Sequence, residues 1–242
     1  MRKNILITGA SKGIGREIAK GLSLLGHNLF LTSRNEEVLR AVSQEIGAKD
    51  FFACDLACET ALEGLKTFIQ KNNIDILINN AGEYIYGAVE MMTYEQISKL
   101  FAVNLLAPIF LCSAAADNMK SKKWGRIINI GSISGVMGEA YASLYSSSKS
   151  GLIGLTKSLA LELAEHNITV NVINPGWVET EMGLESIEES EFSLDEILES
   201  VPQKRFVKPD EIEKLIEYLI SDVAKGITGQ SINLCAGLSL GI

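Results

Sequence analysis

Cysteine, histidine and surplus positive charge are all scarce in this 242-residue chain. It has four cysteines and two histidines, and 22 Lys and Arg stand against 30 Asp and Glu, for a formal charge of −8. Cys54, Cys58, Cys112 and Cys235 form no C-x-x-C pair, and His27 and His166 lie far apart. Neither a zinc site nor a dithiol redox motif is readable, so no metal is expected. Cys112 and Cys235 sit in apolar stretches, as expected of buried free thiols in a reducing compartment. The acidic balance argues against nucleic acid and anionic membrane as partners, because both select clustered positive charge. Long apolar runs are missing too. Ile5-Leu6-Ile7 stops at Thr8-Gly9, and the uncharged stretch 102–116 is interrupted by Asn104 and Pro108. With neither a secretory h-region nor a membrane span expected, the chain reads as cytoplasmic.

The chain does contain an ordinary core-forming composition, 47% hydrophobic. At this length roughly 70–75% of the unfolded surface is buried on folding, enough for one domain, 1–242, without staples. Short β-branched runs alternate with helical periodicity, the pattern of a parallel sheet covered on both faces, and no internal repeat or low-complexity linker intervenes. Strands are expected at 4–8, 28–32, 50–54, 74–78, 126–131, 169–173 and 231–234. Helices are expected at about 14–25, 36–46, 59–72, 94–119, 143–165 and 210–222; Leu152, Leu155, Leu159 and Leu163 form one apolar stripe. The stretch 182–200, dense in Asp and Glu and followed by Pro202, breaks the rhythm. It reads either as a mobile helical lid at about 182–202 or as a solvated acidic surface helix.

A glycine turn follows the first strand directly: Thr8-Gly9-Ala10-Ser11-Lys12-Gly13-Ile14-Gly15, running into Arg16-Glu17-Ile18. Gly9 suits a tight turn, Gly13 lets backbone approach a pyrophosphate, Gly15 permits close helix–strand packing, and the helix N-terminus offers free N–H groups. The spacing is G-x-x-x-G-x-G, and the alternative is a purely structural turn. The second strand ends Thr32-Ser33-Arg34-Asn35 with no acid to hold a ribose 2′-hydroxyl. Arg34 and Lys12 could instead converge on a 2′-phosphate, which favours NADP(H); otherwise they are two unrelated exposed cations. Asp55-Leu56, after the third strand, is a candidate adenine contact, and Asn79-Asn80-Ala81-Gly82 could line the cofactor.

Tyr145 and Lys149, four apart at the start of a predicted helix, share one helical face. The ammonium is expected to draw the phenol's pKa down from about 10, making Tyr145 a general acid or base. Ser132 closes the fifth strand, on the edge where open α/β sheets bind ligands. Asn104 is an amide in an apolar helical segment, read by itself as a core amide bonded to backbone.

Taken together, Thr8–Gly15, Asp55, Asn79–Gly82, Asn104, Ser132, Tyr145, Lys149 and Asn174-Pro175-Gly176-Trp177-Val178-Glu179-Thr180 make the chain resemble the short-chain dehydrogenase/reductase family over its whole length. The resemblance implies a Rossmann-type doubly wound α/β sheet of about seven parallel strands. It also implies an Asn104–Ser132–Tyr145–Lys149 tetrad. In that tetrad Tyr145 protonates a carbonyl oxygen, Ser132 hydrogen-bonds it, Lys149 holds the nicotinamide ribose and Asn104 positions a relay water. Pro175, Gly176, Val178 and Thr180 are implied to embrace the nicotinamide. Gly125–Ser132, Val201–Phe206 and Gly229–Leu234 are similar to the 3-oxoacyl-(acyl-carrier-protein) reductase branch of fatty acid biosynthesis. The substrate implied is a 3-oxoacyl thioester, carrier-bound or free, with another small carbonyl, sugar or polyketide-type compound as alternative. A catalytically silent dinucleotide-binding protein is the reading from a different class. The carrier-gripping arginines of that branch correspond to Lys123 and His166 here, and an acidic lid would slow an acidic carrier's approach. A homotetramer or homodimer is implied through 94–119, 143–165 and the apolar tail Leu234–Ile242. Trp177, Met182, Leu184, Ala140 and Tyr141 are expected to shape the pocket.

Overall fold

A computed structural model describes residues 2–189 and 193–240, with side chains of 188 and 189 excepted. Seven strands, β1 (Asn4–Thr8), β2 (Asn28–Ser33), β3 (Asp50–Ala53), β4 (Ile76–Asn79), β5 (Gly125–Ile130), β6 (Ile168–Pro175) and β7 (Ser231–Leu234), form one sheet in the order β3-β2-β1-β4-β5-β6-β7. Every pairing is parallel. The order reverses between β1 and β4, and in such sheets ligands bind outside the carboxyl ends of the strands at that point.

The five inner strands, β1, β2, β4, β5 and β6, are buried on both faces because their side chains alternate between two cores. Ile5, Ile7, Leu29, Leu31, Ile76, Ile78, Ile128 and Ile130 face one side with Ile18 and Leu22 of α1 (Gly13–Leu24), Leu39 of α2 (Glu36–Ile46) and Ile212 and Ile216 of α10 (Pro209–Ile220). Leu6, Phe30, Leu77, Ile127 and Val170 face the other, with Leu65 of α3 (Glu59–Lys71), Leu111 and Met119 of α5 (Ala107–Lys122) and Ala160 and Leu163 of α7 (Ser143–Leu163). Each fully buried large aliphatic side chain contributes about 1.5–3 kcal/mol to this packing. Cys54, Cys112 and Cys235 are buried free thiols.

Three expectations need correction. The predicted helix at 94–119 is three pieces: α4 (Tyr94–Phe101), capped by a reciprocal Thr93–Gln96 box, then a π-turn at Ala102–Leu106, then α5. The π-turn carries one residue more per turn than an α-helix, and such turns concentrate at functional sites. This composite is apolar and long enough to cross a membrane, yet half of its most apolar window is buried in the fold, against α3 and α7. The acidic excursion is two helices, α8 (Glu181–Glu189) and α9 (Leu194–Ser200), with 190–192 outside the described residues. Ile187, Ile197 and Phe206 give it a small core of its own, flanked by Trp177. Strand ends also shift by one or two residues: β3 stops before Cys54, β4 starts at Ile76 and β6 runs on through Pro175.

Candidate active site

A cavity of about 720 Å³ runs along the carboxyl ends of the strands. The glycine turn forms one wall. Gly9 has φ +66°, and a Cβ there would stand 2.9 Å from the Ala81 Cα; a Cβ on Gly15 would fall 2.3 Å from the Gly9 carbonyl oxygen. Neither position tolerates a side chain, so strand, turn and helix lock together. Gly13, at φ +54°, borders open space with Thr180 as its nearest neighbour, a cradle into which a phosphate group fits. The side chain of Lys12, which precedes α1, does not cap the helix, so its N-terminal N–H groups and positive dipole end face the cavity. Asn80 braces the turn by donating to the Thr8 carbonyl at 2.9 Å and the Gly9 carbonyl at 3.3 Å. Ser11, Ile14, Asp55, Leu56, Ala81 and Gly82 all face the same space. One Asp55 oxygen accepts the Ala57 N–H at 3.0 Å.

Two readings of this end change. Asn79 does not line the cavity. It donates to Asn129, which donates to Thr156, both at 2.9 Å, a buried amide chain joining β4, β5 and α7. Lys12 and Arg34 both border the cavity, but each already holds a carboxylate. Arg34 bonds Glu83 at 2.5 Å, and Lys12 pairs with Glu181 at the start of α8. Glu83, which no local motif marks, also lies 3.4 Å from Lys99.

The other end assembles all four tetrad residues. Lys149 is buried, 3% exposed, and donates to the Ile130 carbonyl at the end of β5 at 2.8 Å. Its Nζ is 5.5 Å from the centre of the Tyr145 ring one helical turn earlier. Tyr145 hydrogen-bonds Ser132. Asn104 sits in the π-turn, fully buried, and bonds Glu83 through both backbone groups at 2.8 Å and Ser148 at 3.1 Å. A Cβ on Gly82 would stand 3.4 Å from Lys149 Nζ and 3.5 Å from Asn104 Oδ1, which places those two groups close to one point beside Gly82. Asn104 is thus both the backbone-bonded amide its surroundings suggested and a member of the constellation.

The expected depression of the Tyr145 pKa is not what the surroundings produce. Burial of the hydroxyl pushes it up to about 12, against a lowering hydrogen bond from Ser132, and the Glu139 charge adds to the rise. Burial likewise drives Lys149 down to about 8. Desolvation outweighs the attraction between the two groups.

Glu139 and Tyr84 carry no sequence signature, yet they complete this end. Glu139 accepts Tyr84 Oη at 2.7 Å and Ser134 Oγ at 2.6 Å, and Ser134 accepts Ser132 Oγ at 3.1 Å. Burial, helped by Glu139, holds the Tyr84 phenol well above its ordinary value. Tyr84 meets the Tyr145 ring edge-on at 5.0 Å. Their invisibility has a simple cause: 55 residues separate Tyr84 from Glu139, so only the fold unites them. Pro175, Gly176, Trp177, Val178, Thr180 and Met182 close the cavity on the lid side, with Ala140 and Tyr141 opposite. The Thr180 hydroxyl accepts the Gly183 N–H at 3.1 Å. Leu184 departs from expectation and lines a separate shallow depression with Glu179 and Leu198.

Comparison with known proteins fits this geometry. Residues 3–191 match the family model for short chain dehydrogenases. The chain belongs to the short-chain dehydrogenase family. Curated relatives in that family include a putative ketoacyl reductase of granaticin polyketide synthase from Streptomyces violaceoruber, 38% identical over 96% of this chain and 92% of the relative. A 3-oxoacyl-(acyl-carrier-protein) reductase FabG from Buchnera aphidicola is 35% identical over 98% and 97%. Carbonyl reductase family member 4 from Xenopus laevis is 36% identical over 99% of both chains. Among solved structures, an actinorhodin polyketide ketoreductase variant with NADPH superposes with a TM-score of 0.93 at 36% identity, covering 98% of this chain and 97% of that one. As a short-chain dehydrogenase with relatives of this kind, the protein is an oxidoreductase resembling ketoreductases.

Proposed function

We propose that the protein reduces a ketone to a secondary alcohol with NADPH. The observation that carries this reading is the convergence of Tyr145, Ser132 and Lys149 at one end of the cavity whose other end is the glycine turn, with Asn104 buried behind Gly82 beside them. A bound nicotinamide supplies the hydride. Gly9, Gly13 and Gly15, with the α1 N-terminus, hold the pyrophosphate; Asp55 and Leu56 border the adenine; Arg34 and Lys12 meet the 2′-phosphate after exchanging their carboxylate partners. Pro175, Gly176, Val178 and Thr180 face the nicotinamide.

Tyr145, protonated because its hydroxyl is withdrawn from water, gives its proton to the carbonyl oxygen as negative charge develops there. Ser132 holds that oxygen by turning its hydroxyl from Ser134 toward the substrate. The Lys149 ammonium, anchored on Ile130, steadies the tyrosinate left behind and the ribose of the cofactor. Asn104, fixed by the Glu83 backbone, holds the water that returns the proton.

The preferred substrate is a 3-oxoacyl thioester, free or carrier-bound, with a small ketone, sugar or polyketide-type carbonyl as the alternative. Exposed Leu106, Ile109 and Leu161 on the 94–122 and 143–163 helices support a homodimer or homotetramer through those faces; gel filtration as a monomer rejects that assembly. Oxidation of NADPH followed with acetoacetyl-CoA and a panel of neutral ketones, beside a Tyr145→Phe variant, tests the activity. Tight NADPH binding without turnover of any carbonyl would identify a silent dinucleotide-binding protein instead.

A further inference from the structure

The end of the cavity beyond Ser132 holds a carboxylate that the reduction does not need. Glu83 and Glu181, on the same cavity, are ion-paired with Arg34 and Lys12, but Glu139 has no cationic partner among the described residues. Its two oxygens are fixed by the Tyr84 and Ser134 hydroxyls, which orient the charge without neutralising it and leave each oxygen capacity for another donor. Two hydrogen bonds of 3.1 and 2.6 Å link it to Ser132, so it lies no more than about 6 Å from the hydroxyl that meets the reacting carbonyl.

Aromatic rings line the same cavity. Tyr86 and Tyr141 stand 5.6 Å apart on the cavity wall, and Tyr84 leans on Tyr145. Tyr141 holds a left-handed backbone, φ +62°, that a bulky side chain rarely adopts, and the Gly87 N–H secures it by bonding its carbonyl at 2.7 Å. Such strain is retained where surrounding structure fixes a side chain for a task. An oriented, uncompensated carboxylate among tyrosine rings matches the chemistry of an alkylammonium, which is held by charge on one side and ring faces on the other.

We propose that Glu139, Tyr84, Tyr86 and Tyr141 form a subsite for a protonated amine, and that the substrate is a β- or γ-amino ketone. This rests on the ketoreductase reading above and, within it, selects the small-carbonyl alternative over the 3-oxoacyl thioester, whose anionic carrier the same carboxylate disfavours. An amine placed there gives Glu139 the cationic partner it lacks among the described residues. An acidic substrate is repelled by the same group.

The test compares two ketones of nearly equal shape, 4-(dimethylamino)butan-2-one, protonated at neutral pH, and its uncharged isostere 5-methylhexan-2-one, with NADPH. The wild-type protein is expected to favour the amine in kcat/KM by about tenfold, the scale of a partly screened ion pair. In Glu139→Gln the ratio of the two values falls to near one, and in Tyr141→Leu it falls about threefold. The ratio is internal to each variant, so a general loss of activity does not mimic the result. A wild-type ratio of one or less, or a ratio that Glu139→Gln leaves unchanged, overturns the subsite. If acetoacetyl-CoA is reduced and neither ketone is, the amino-ketone proposal is overturned; if NADPH binds and neither ketone nor acetoacetyl-CoA turns over, the ketoreductase reading fails instead. Calorimetric binding of the amino ketone to the NADPH-loaded wild-type and Glu139→Gln proteins then decides the subsite, equal affinity overturning it.

Discussion

The two ends of the cavity treat charge in opposite ways. At the nucleotide end each cation already holds a carboxylate, Arg34 with Glu83 and Lys12 with Glu181. At the substrate end, among the described residues, Glu139 is bonded to the Tyr84 and Ser134 hydroxyls and Lys149 to the Ile130 carbonyl, with no ion pair at either. The contrast teaches that a phosphate arriving at the first end exchanges one set of ion pairs for another, so its net gain is modest. At the second end Glu139 and Lys149 are oriented but unneutralised, and burial there shifts the protonation of Lys149 and Tyr145.

The comparison breaks most severely at Tyr145. Tyr145→Phe is expected to lower ketone reduction about 10³-fold, as loss of a positioned proton donor does, while NADPH affinity measured by fluorescence titration stays within a factor of about three. At the nucleotide end the effect is smaller. Arg34→Ala is expected to raise the KM for NADPH about 10- to 100-fold, the value of charge-assisted bonds to one phosphate, with the KM for NADH nearly unchanged; equal effects on both would place Arg34 elsewhere.

Acidity sharpens the same contrast. Lys149, held near 8 by burial, loses its proton as pH rises through that value, so kcat/KM for reduction is expected to fall about tenfold per unit above it. The Tyr145 phenol, near 12, stays protonated across this range and contributes no second limb. Lys149→Arg, charged throughout, should remove the decline even where it lowers the maximum. A profile flat to pH 10 in the wild-type protein would contradict the assignment. The smallest effect belongs to Glu181. Freeing Lys12 by Glu181→Gln is expected to improve the KM for NADPH about two- to threefold, since an exposed ion pair is weak.

How much of this was readable beforehand follows the range of the interactions. The seven strands were legible because Ile5, Leu6 and Ile7, and their counterparts along the sheet, are apolar on both faces, a local property. The glycine turn was legible because Gly9 and Gly15 answer to contacts within their own strand–turn–helix unit and to Ala81 and Asn80 beside it. Tyr145, Lys149, Ser132 and Asn104 could be named from spacing and resemblance. Their protonation could not, because desolvation depends on what the rest of the chain places over them. Glu83 and Glu139 left no trace, since each acquires its role from residues dozens of positions away. Asn79 misled for the same reason: its neighbours in sequence border the cofactor groove, while its own side chain points to Asn129 in the core.

The wide turn at Ala102–Leu106 has a consequence for how this chain can change. It inserts a supernumerary residue between two stretches of ordinary helix, so that the segment ahead of it and the segment behind it are rotated out of the phase a continuous helix would impose. Excising a single residue from that turn would restore the regular winding. It would also rotate Asn104 away from the Glu83 backbone by about a quarter-turn. A deletion that straightens the helix is therefore expected to keep a folded sheet and disconnect the amide, which makes this short coil the least forgiving length constraint in the molecule.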